Sequence, residues 1–476
     1  MFMNSTFLKL NKQSLLLAIL SVLLYWAFAY NLVRTDYLKL IGLYVTLFAL
    51  FYRLVSTFKD DLKLLTYLAF GFRCVFILAI PNLSQDFYRF IWDGRMIFAG
   101  FNPYLFTPES FINSEQSPIA QAEALYTGMG VLNGSHFTNY PPINQLCFFI
   151  ASVFAGKSIL GSVVVFKFLI IAADFGTFFY GSKLLKRLDI PVYNIFWYIL
   201  NPFIIIELTG NLHFEGVMIF FLIWSLYLLH CGKWKFAAVI LALSITVKLI
   251  PLIFLALFFK WFLFNKHKTN NEKPNLLAGL WKLVGFYSIT LLTTLLLFAP
   301  FLSAEFFNNY AKTVGLWFQN FEFNASLYYI AREVGYTFRG YNEIGIIGKV
   351  TPILVVLFIL IITFFRKNKT MVELISAMLL VLSFYYFTAT TIHPWYIATL
   401  LILSVFTKYK FPLVWSFVII LSYLAYVNID KADKSENLWV IALEYAVVYA
   451  VFIWEVFLKK TDKRLSVSSK KISTTI

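Results

Sequence analysis

Residues 64–80 read LLTYLAFGFRCVFILAI, and residues 84–104 read SQDFYRFIWDGRMIFAGFNPY. The first stretch is long enough to cross the hydrocarbon of a bilayer as a helix. The second leaves that helix with Asp86, Arg89, Asp93 and Arg95 set among aromatic residues. Charges held against a bilayer surface are expensive and seldom accidental. Working outward, apolar runs of similar length recur from residue 14 to residue 458. The chain of 476 residues is 60% hydrophobic, with a mean hydropathy of +0.75, against about 45–50% apolar residues in soluble domains. The fold expected is an all-α polytopic integral membrane protein. It has one transmembrane domain, residues 1–458, and a basic cytoplasmic tail, residues 459–476. The run 14–33 is too long for a signal-peptide core and lacks a small-residue cleavage site, so it reads as a retained helix.

The net charge is +16. Its lysines sit in short loops between apolar runs, which is the positive-inside pattern and not a nucleic-acid footprint. Cys74, Cys147 and Cys231 are far apart in sequence and carry no disulfide or metal spacing.

Basic residues set the threading. Lys9 and Lys12 place the N-terminus in the cytoplasm, and Lys59 and Lys63 place the loop after the second helix (37–57) there too. The run 64–80 then exits, so the polar loop 82–140 is extracytoplasmic. Residues 142–155 are too short to cross and read as a re-entrant helix. The crossings expected next are 159–180, 192–208 and 214–229. Residues 236–264 are interrupted by Lys248 and Pro251. A proline breaks the helical ladder, and a lysine at mid-membrane is costly. Two half-helices dipping in from the cytoplasmic side accommodate both, with Lys248 in the cytoplasmic half and the basic loop 266–273 inside. Residues 276–299, 350–365, 371–388, 395–406, 411–427 and 438–458 complete about 12 full crossings. A second long outer loop covers 301–349.

Four polar clusters then fall on the outer face. The first centres on Asp86, a carboxylate able to take a proton from an acceptor hydroxyl. The bland alternative is a helix cap by Ser84 or Asp86. Asp93 and Arg95 read as an ion pair holding the loop, and Asn102-Pro103-Tyr104 as the turn that fixes its exit. The second is Tyr140-Pro141-Pro142, a helix start whose tyrosine is also a candidate for the site. The third holds Glu207, Asn211, His213 and Glu215 at a helix-to-helix turn. The turn either serves a sugar or satisfies its own backbone. The fourth is Thr391-Ile392-His393-Pro394-Trp395-Tyr396, suited to a lipid phosphate and a pyranose, or to an interfacial aromatic belt. Glu322 and Asn324 add a weaker signal. Within the apolar runs, Arg73 is near enough to the outer end to reach a phosphate by snorkelling. Lys167 and Asp174 share a helical face and read as a buried pair.

The stretch 84–104, together with NYPPINQL (139–146), NPFIIIELTGNLHFEG (201–216), TVKLIPLI (246–253) and IHPWY (392–396), resembles the polyprenol-phosphate-mannose-dependent mannosyltransferases of the GT-C superfamily, in their bacterial branch. The resemblance runs from about residue 64 to residue 396. It implies catalysis at the outer membrane boundary of a multi-pass cell-membrane enzyme. The donor would be a polyprenyl-phosphate mannose, the acceptor a hydroxyl of an extracytoplasmic glycan or glycolipid, and the anomeric carbon would invert. The family's acid falls on Asp86, as catalytic base. Arg89, His393 and Arg73 become candidates for the donor phosphate. Tyr140, His213, Glu215, Trp395 and Tyr396 become candidates for sugar or acceptor. Related enzymes often carry two acids in this loop, and Ser84 stands where the second would be. No metal ligand or other cofactor is assigned, and metal dependence stays open. Two alternatives remain: the same chemistry with another polyprenyl-phosphate sugar, or a lipid-linked-sugar flippase. A transporter should show inverted repeats with midplane breaks, whereas here the polar motifs crowd one face.

Overall fold

The computed structural model describes residues 12–264, 275–319, 321–428 and 436–459. Lys9, the basic loop 266–273 and the tail 460–476 lie outside the described residues. The chain begins with two apolar helices, α1 (Lys12–Asn31) and α2 (Tyr37–Thr57), followed by α3 (Leu62–Cys74). Asp36 and Asp61 cap α2 and α3 by accepting from the amides of Lys39 and Leu64. The first long loop carries α4 (Asp86–Phe98), α5 (Pro108–Asn113) and α6 (Ala122–Gly134). A short helix, α7 (Pro142–Ala155), and a long one, α8 (Ile159–Arg187), follow.

After α8 the chain passes through α9 (Phe196–Ile199) and α10 (Pro202–Ile204), and then through a π-helical turn over Ile205–Gly210. Segments Val192–Ile199 and Pro202–Gly210 meet at a bend of 49°. The bend has a local cause: Pro202 cannot donate to the ladder, and Asn201 caps the new segment by accepting from the Phe203 amide at 2.9 Å. The carbonyl of Ile199, freed by the break, accepts from Arg73 Nη1 at 2.8 Å.

Next come α11 (Glu215–His230) and α12 (Trp234–Val247), joined by a tight turn. A 3-10 segment (Ile250–Leu257) and α13 (Phe258–Phe264) run on from α12. The remainder comprises α14 (Leu276–Phe298), α15 (Ala304–Gln319), α16 (Leu327–Arg339), α17 (Ile344–Phe365), α18 (Met371–Thr388), α19 (Ile397–Val405), α20 (Phe411–Val418) and α21 (Leu438–Ile453).

Among the described residues, seven helices are long and apolar enough to cross a membrane, or eight if the bent pair counts as one span. The chain is a multi-pass membrane protein, but the count of about 12 full crossings is not reached. The other four expected crossings fall on shorter elements: α3, α11, Pro394–Val405 and Phe411–Val427. The expected crossing 64–80 also stops early, because α3 ends at Cys74.

The expected hairpin is present. Trp234, at the start of α12, and Phe262, in α13, meet with ring centroids 6.5 Å apart, and Lys248 lies midway between them in sequence. α14 packs along both legs. Thr290 Oγ1 donates to the Ala238 carbonyl, and Tyr287 Oη donates to the Leu255 carbonyl. The 14 residues of α12 rise about 21 Å to the apex, where Lys248 meets Glu215. α11, with 16 residues, rises about 24 Å beside it. Both are shorter than the roughly 30 Å of hydrocarbon. Ser225 and Ser244 tie the two helices by donating to the Ala237 and Met218 carbonyls at 2.7 and 2.8 Å.

Basic residues gather at the opposite end. Arg187 lies over Tyr227, Lys369 lies over Phe264, and Lys260 donates to the carbonyls of Phe364 and Arg366.

Candidate active site

The helix that presents Asp86 is fixed from below. Phe90 of α4 stacks on Phe148 of α7 at 4.6 Å, and Phe166 and Phe214 close the cluster edge-on. Gly94 lets α4 and α7 touch: a Cβ there would overlap the carbonyl of Phe148. From above, the Leu83 amide donates to Asn211 Oδ1 at 3.1 Å, which pins the approach to α4. Ser84 Oγ accepts from the Asp86 amide at 3.3 Å. Ser84 thus serves the helix start, and the Asp86 carboxylate is left facing a cavity of about 750 Å³. Its hydrogen-bond partner there is Asn133, whose Nδ2 donates to Oδ1 at 3.4 Å.

The cavity gathers the four clusters. Asp86 and Arg89, Tyr140, Glu215, and the group Thr391, His393, Trp395 and Tyr396 all line it. The loop containing Glu322 also joins the wall. It is stitched to the fourth cluster by a parallel bridge between Phe323 and Thr391. There the Ile392 amide donates to the Phe323 carbonyl at 2.8 Å, and the Phe323 amide donates to the Thr390 carbonyl at 3.1 Å.

Lys248, at the hairpin apex, reaches the same cavity. Its Nζ lies 3.1 Å from Glu215 Oε1 and 5.1 Å from the centre of the Tyr140 ring. The two ends of α11 and α12 place this pair: Glu215 opens one helix and Lys248 follows the other. Burial lifts the Asp86 carboxyl above the usual range. The Lys248 ammonium opposes that shift, Glu215 adds to it, and the Asn133 hydrogen bond lowers it.

Several expected roles change. Arg73 is fully buried and ion-paired with Asp174 at 2.7 Å, and it also donates to the Ala69 and Ile199 carbonyls. It does not line the cavity, so it is taken away from the donor phosphate. Lys167 does not pair with Asp174; it donates to the carbonyls of Phe76 and Ala79, just past the early end of α3. Asp93 pairs with Arg89 at 2.8 Å and not with Arg95, which donates to the Ala120 carbonyl at 2.6 Å. Arg89 lines the cavity, but it also donates to the carbonyls of Asn133 and His136 at 2.7 and 2.8 Å. Most of its guanidinium holds the loop between α6 and α7.

His213 is 1% exposed and sits behind the cavity wall. Its ring stacks on Trp395 with centroids 3.6 Å apart, and Trp395 stacks on His393 at 4.6 Å. Phe323 covers the far side of His393 at 5.1 Å. With both faces covered, His393 can act only through its ring edge. Burial and Lys248 lower its pKa to about 3, so it meets a ligand as a neutral hydrogen-bonding group and not as a cation. The NPY turn behaves as expected: Asn102 Oδ1 accepts from the Tyr104 amide at 3.1 Å, and Tyr104 Oη donates to the Tyr140 carbonyl at 2.5 Å.

Sequence reasoning missed Arg34, Asn133, Tyr426 and Glu436 on this wall. Arg34, which lies over the Tyr426 ring at 4.6 Å, had one usable signal: in the threading expected from the basic residues, it is a cation at the end of its helix where the charge rule disfavours one. Among the described residues, no group of three His, Cys, Asp or Glu is placed to hold a metal ion.

A second cavity, of about 600 Å³, adjoins the first and shares Thr391 and Tyr396 with it. Its walls are apolar: Leu252, Ile253 and Leu255 from the second leg of the hairpin, Pro352, Val355 and Ile359 from α17, and Tyr385 from α18.

No curated protein matches the chain significantly. Residues 10–265, more than half of the chain, match the family model described as alpha-(1->6)-mannopyranosyltransferase, N-terminal domain (MptA_B family). With its carboxylate-bearing cavity in a multi-pass helical frame, the chain belongs to this mannosyltransferase family.

Proposed function

We propose that this chain transfers mannose from a polyprenyl phosphate to a hydroxyl of a glycan or glycolipid at the extracytoplasmic face of the cell membrane, with both termini cytoplasmic. The observation that carries this reading is the junction of the two cavities. A lipid-linked sugar needs an apolar channel for its tail and a polar chamber for its head, in contact with each other. The groove beside Leu252 and Val355 and the chamber beside Asp86 meet at Thr391 and Tyr396.

In this reading Asp86 is the base. It accepts the proton of the acceptor hydroxyl as that oxygen attacks C1 of the mannose. The bond from C1 to the phosphate oxygen breaks, its electron pair stays on the phosphate, and C1 inverts. The α-(1→6) linkage in the family description fits an acceptor oxygen on a hydroxymethyl carbon. A single displacement giving an α product requires a β-linked donor. Trp395, Tyr396 and Tyr140 offer rings to the sugar, and the neutral edge of His393 offers a hydrogen bond.

The test is transfer by the purified chain in vesicles, supplied separately with mannose on a polyprenyl phosphate, glucose on the same carrier, and mannose on a nucleotide. Label should move from the first donor alone. Equal transfer from the nucleotide sugar without any lipid carrier would sink the donor assignment. Equal use of glucose would leave the chemistry and remove the sugar.

A further inference from the structure

We infer that Lys248 is a further catalytic residue: the cation that receives the phosphate of the donor at the mouth between the two cavities. The inference rests on the lipid-phosphate reading above and names the residue that reading lacks, now that Arg73 is sealed away.

The hairpin makes the placement. Lys248, Leu249 and Ile250 line the polar cavity, and Leu252, Ile253 and Leu255, a few residues on, line the apolar groove. A lipid lying along the groove brings its head group past the apex of this same segment. Lys248 is extended (φ −146°, ψ 141°) between two helical stretches, so its side chain leaves the helical rows and turns toward the chamber. Its side chain is 22% exposed while that of Glu215 is 5% exposed. The ammonium therefore stands in front of its carboxylate partner, and an incoming anion meets it first.

The arginines on the cavity wall are less suited. Arg89 is engaged by Asp93 and two backbone carbonyls. Arg34 lies over the Tyr426 ring, and no residue of its segment lines the groove, whereas Leu252, four residues after Lys248, does. An ammonium has three donors; one serves Glu215 and the others are available to phosphate oxygens. During transfer the leaving phosphate gains charge as the bond to C1 breaks, and a fixed cation lowers the barrier to the extent that it meets that charge.

The experiment measures binding of a polyprenyl phosphate and of the matching uncharged polyprenol to the full-length protein in lipid nanodiscs. The ratio of the two affinities isolates the phosphate contact from the tail. Lys248→Ala should cut the preference for the phosphate by about tenfold or more, as expected for a charge-assisted contact, and leave polyprenol binding unchanged. Lys248→Arg should restore most of it. If Lys248→Ala does not fold, the double variant Lys248→Gln, Glu215→Gln carries the test, because it removes the pair without leaving a lone charge. An undiminished preference in these variants overturns the inference alone. So does a loss that follows Arg34→Ala instead. Failure of the wild-type protein to prefer the phosphate overturns the inference together with the lipid-phosphate donor.

Discussion

The Arg73–Asp174 and Lys248–Glu215 ion pairs both lie among the membrane-embedded helices, and they differ in what surrounds them. Arg73 and Asp174 meet at 2.7 Å with both side chains 0% exposed, and Arg73 is further held by two backbone carbonyls. Lys248 and Glu215 meet at 3.1 Å on the wall of a cavity, with the lysine partly exposed and Glu215 Oε2 without a partner. The first pair answers a structural demand, since the break at Asn201-Pro202 frees a carbonyl that the guanidinium satisfies. The second stands on a cavity wall, where the lysine is open to a ligand. A charge inside a membrane protein is functional by default, but the default sorts by access: a sealed pair is scaffold, and a pair that opens on a cavity is a site.

The largest expected effect lies on the open side. Asp86→Asn should lower transfer by about 10³-fold or more, within the range for loss of a general base, with donor binding retained. Near-normal turnover in reconstituted vesicles would remove Asp86 from the chemistry and leave the open pair without a reaction to serve.

On the sealed side, Arg73→Met leaves Asp174 buried without its partner. The expected destabilisation is about 3–5 kcal/mol, read as a collapse of the unfolding midpoint in detergent. Adding Asp174→Leu should recover much of that loss. If Arg73→Met instead folds normally and fails only in donor binding, the distinction between the two pairs breaks down.

A smaller effect is expected at Gly94→Ala, which forces α4 away from the Phe148 carbonyl. Overpacking of this kind typically costs about 1–3 kcal/mol. Both the midpoint and the turnover should fall, because α4 carries Asp86. An unchanged midpoint would show that α4 moves freely on α7.

The pH dependence sharpens the comparison most gently. In the proposed mechanism transfer needs ionised Asp86, so the rate should fall as pH drops through its pKa, which burial has raised. Glu215 raises that pKa and Lys248 lowers it. Glu215→Gln should therefore move the acid limb of the rate profile to lower pH, and Lys248→Met should move it to higher pH. The Arg73 variants should not move it. Shifts of the same sign in both cavity variants would contradict the placement of these charges around Asp86.

Much of this architecture was legible in the sequence. The helical class, the family, the hairpin around Lys248 and Pro251, and the polar clusters that share one cavity all follow from hydropathy, charge bias and short motifs. These are local properties: the length of an apolar run and the position of a proline act where they stand.

Pairings and proximity were not legible. Lys167 and Asp174 share a helical face, but seven residues separate them by about 10 Å along the axis, and each takes a partner from another part of the chain. The sequence placed charges near the site without saying which were free to act there. Only the tertiary structure decided that Arg73 is sealed, that His213 and His393 are stacked against Trp395, and that Lys248 shares a cavity with Asp86. Each outcome depends on contacts between segments distant along the chain, and burial and electrostatic partnership are properties of the packed helices rather than of any one of them.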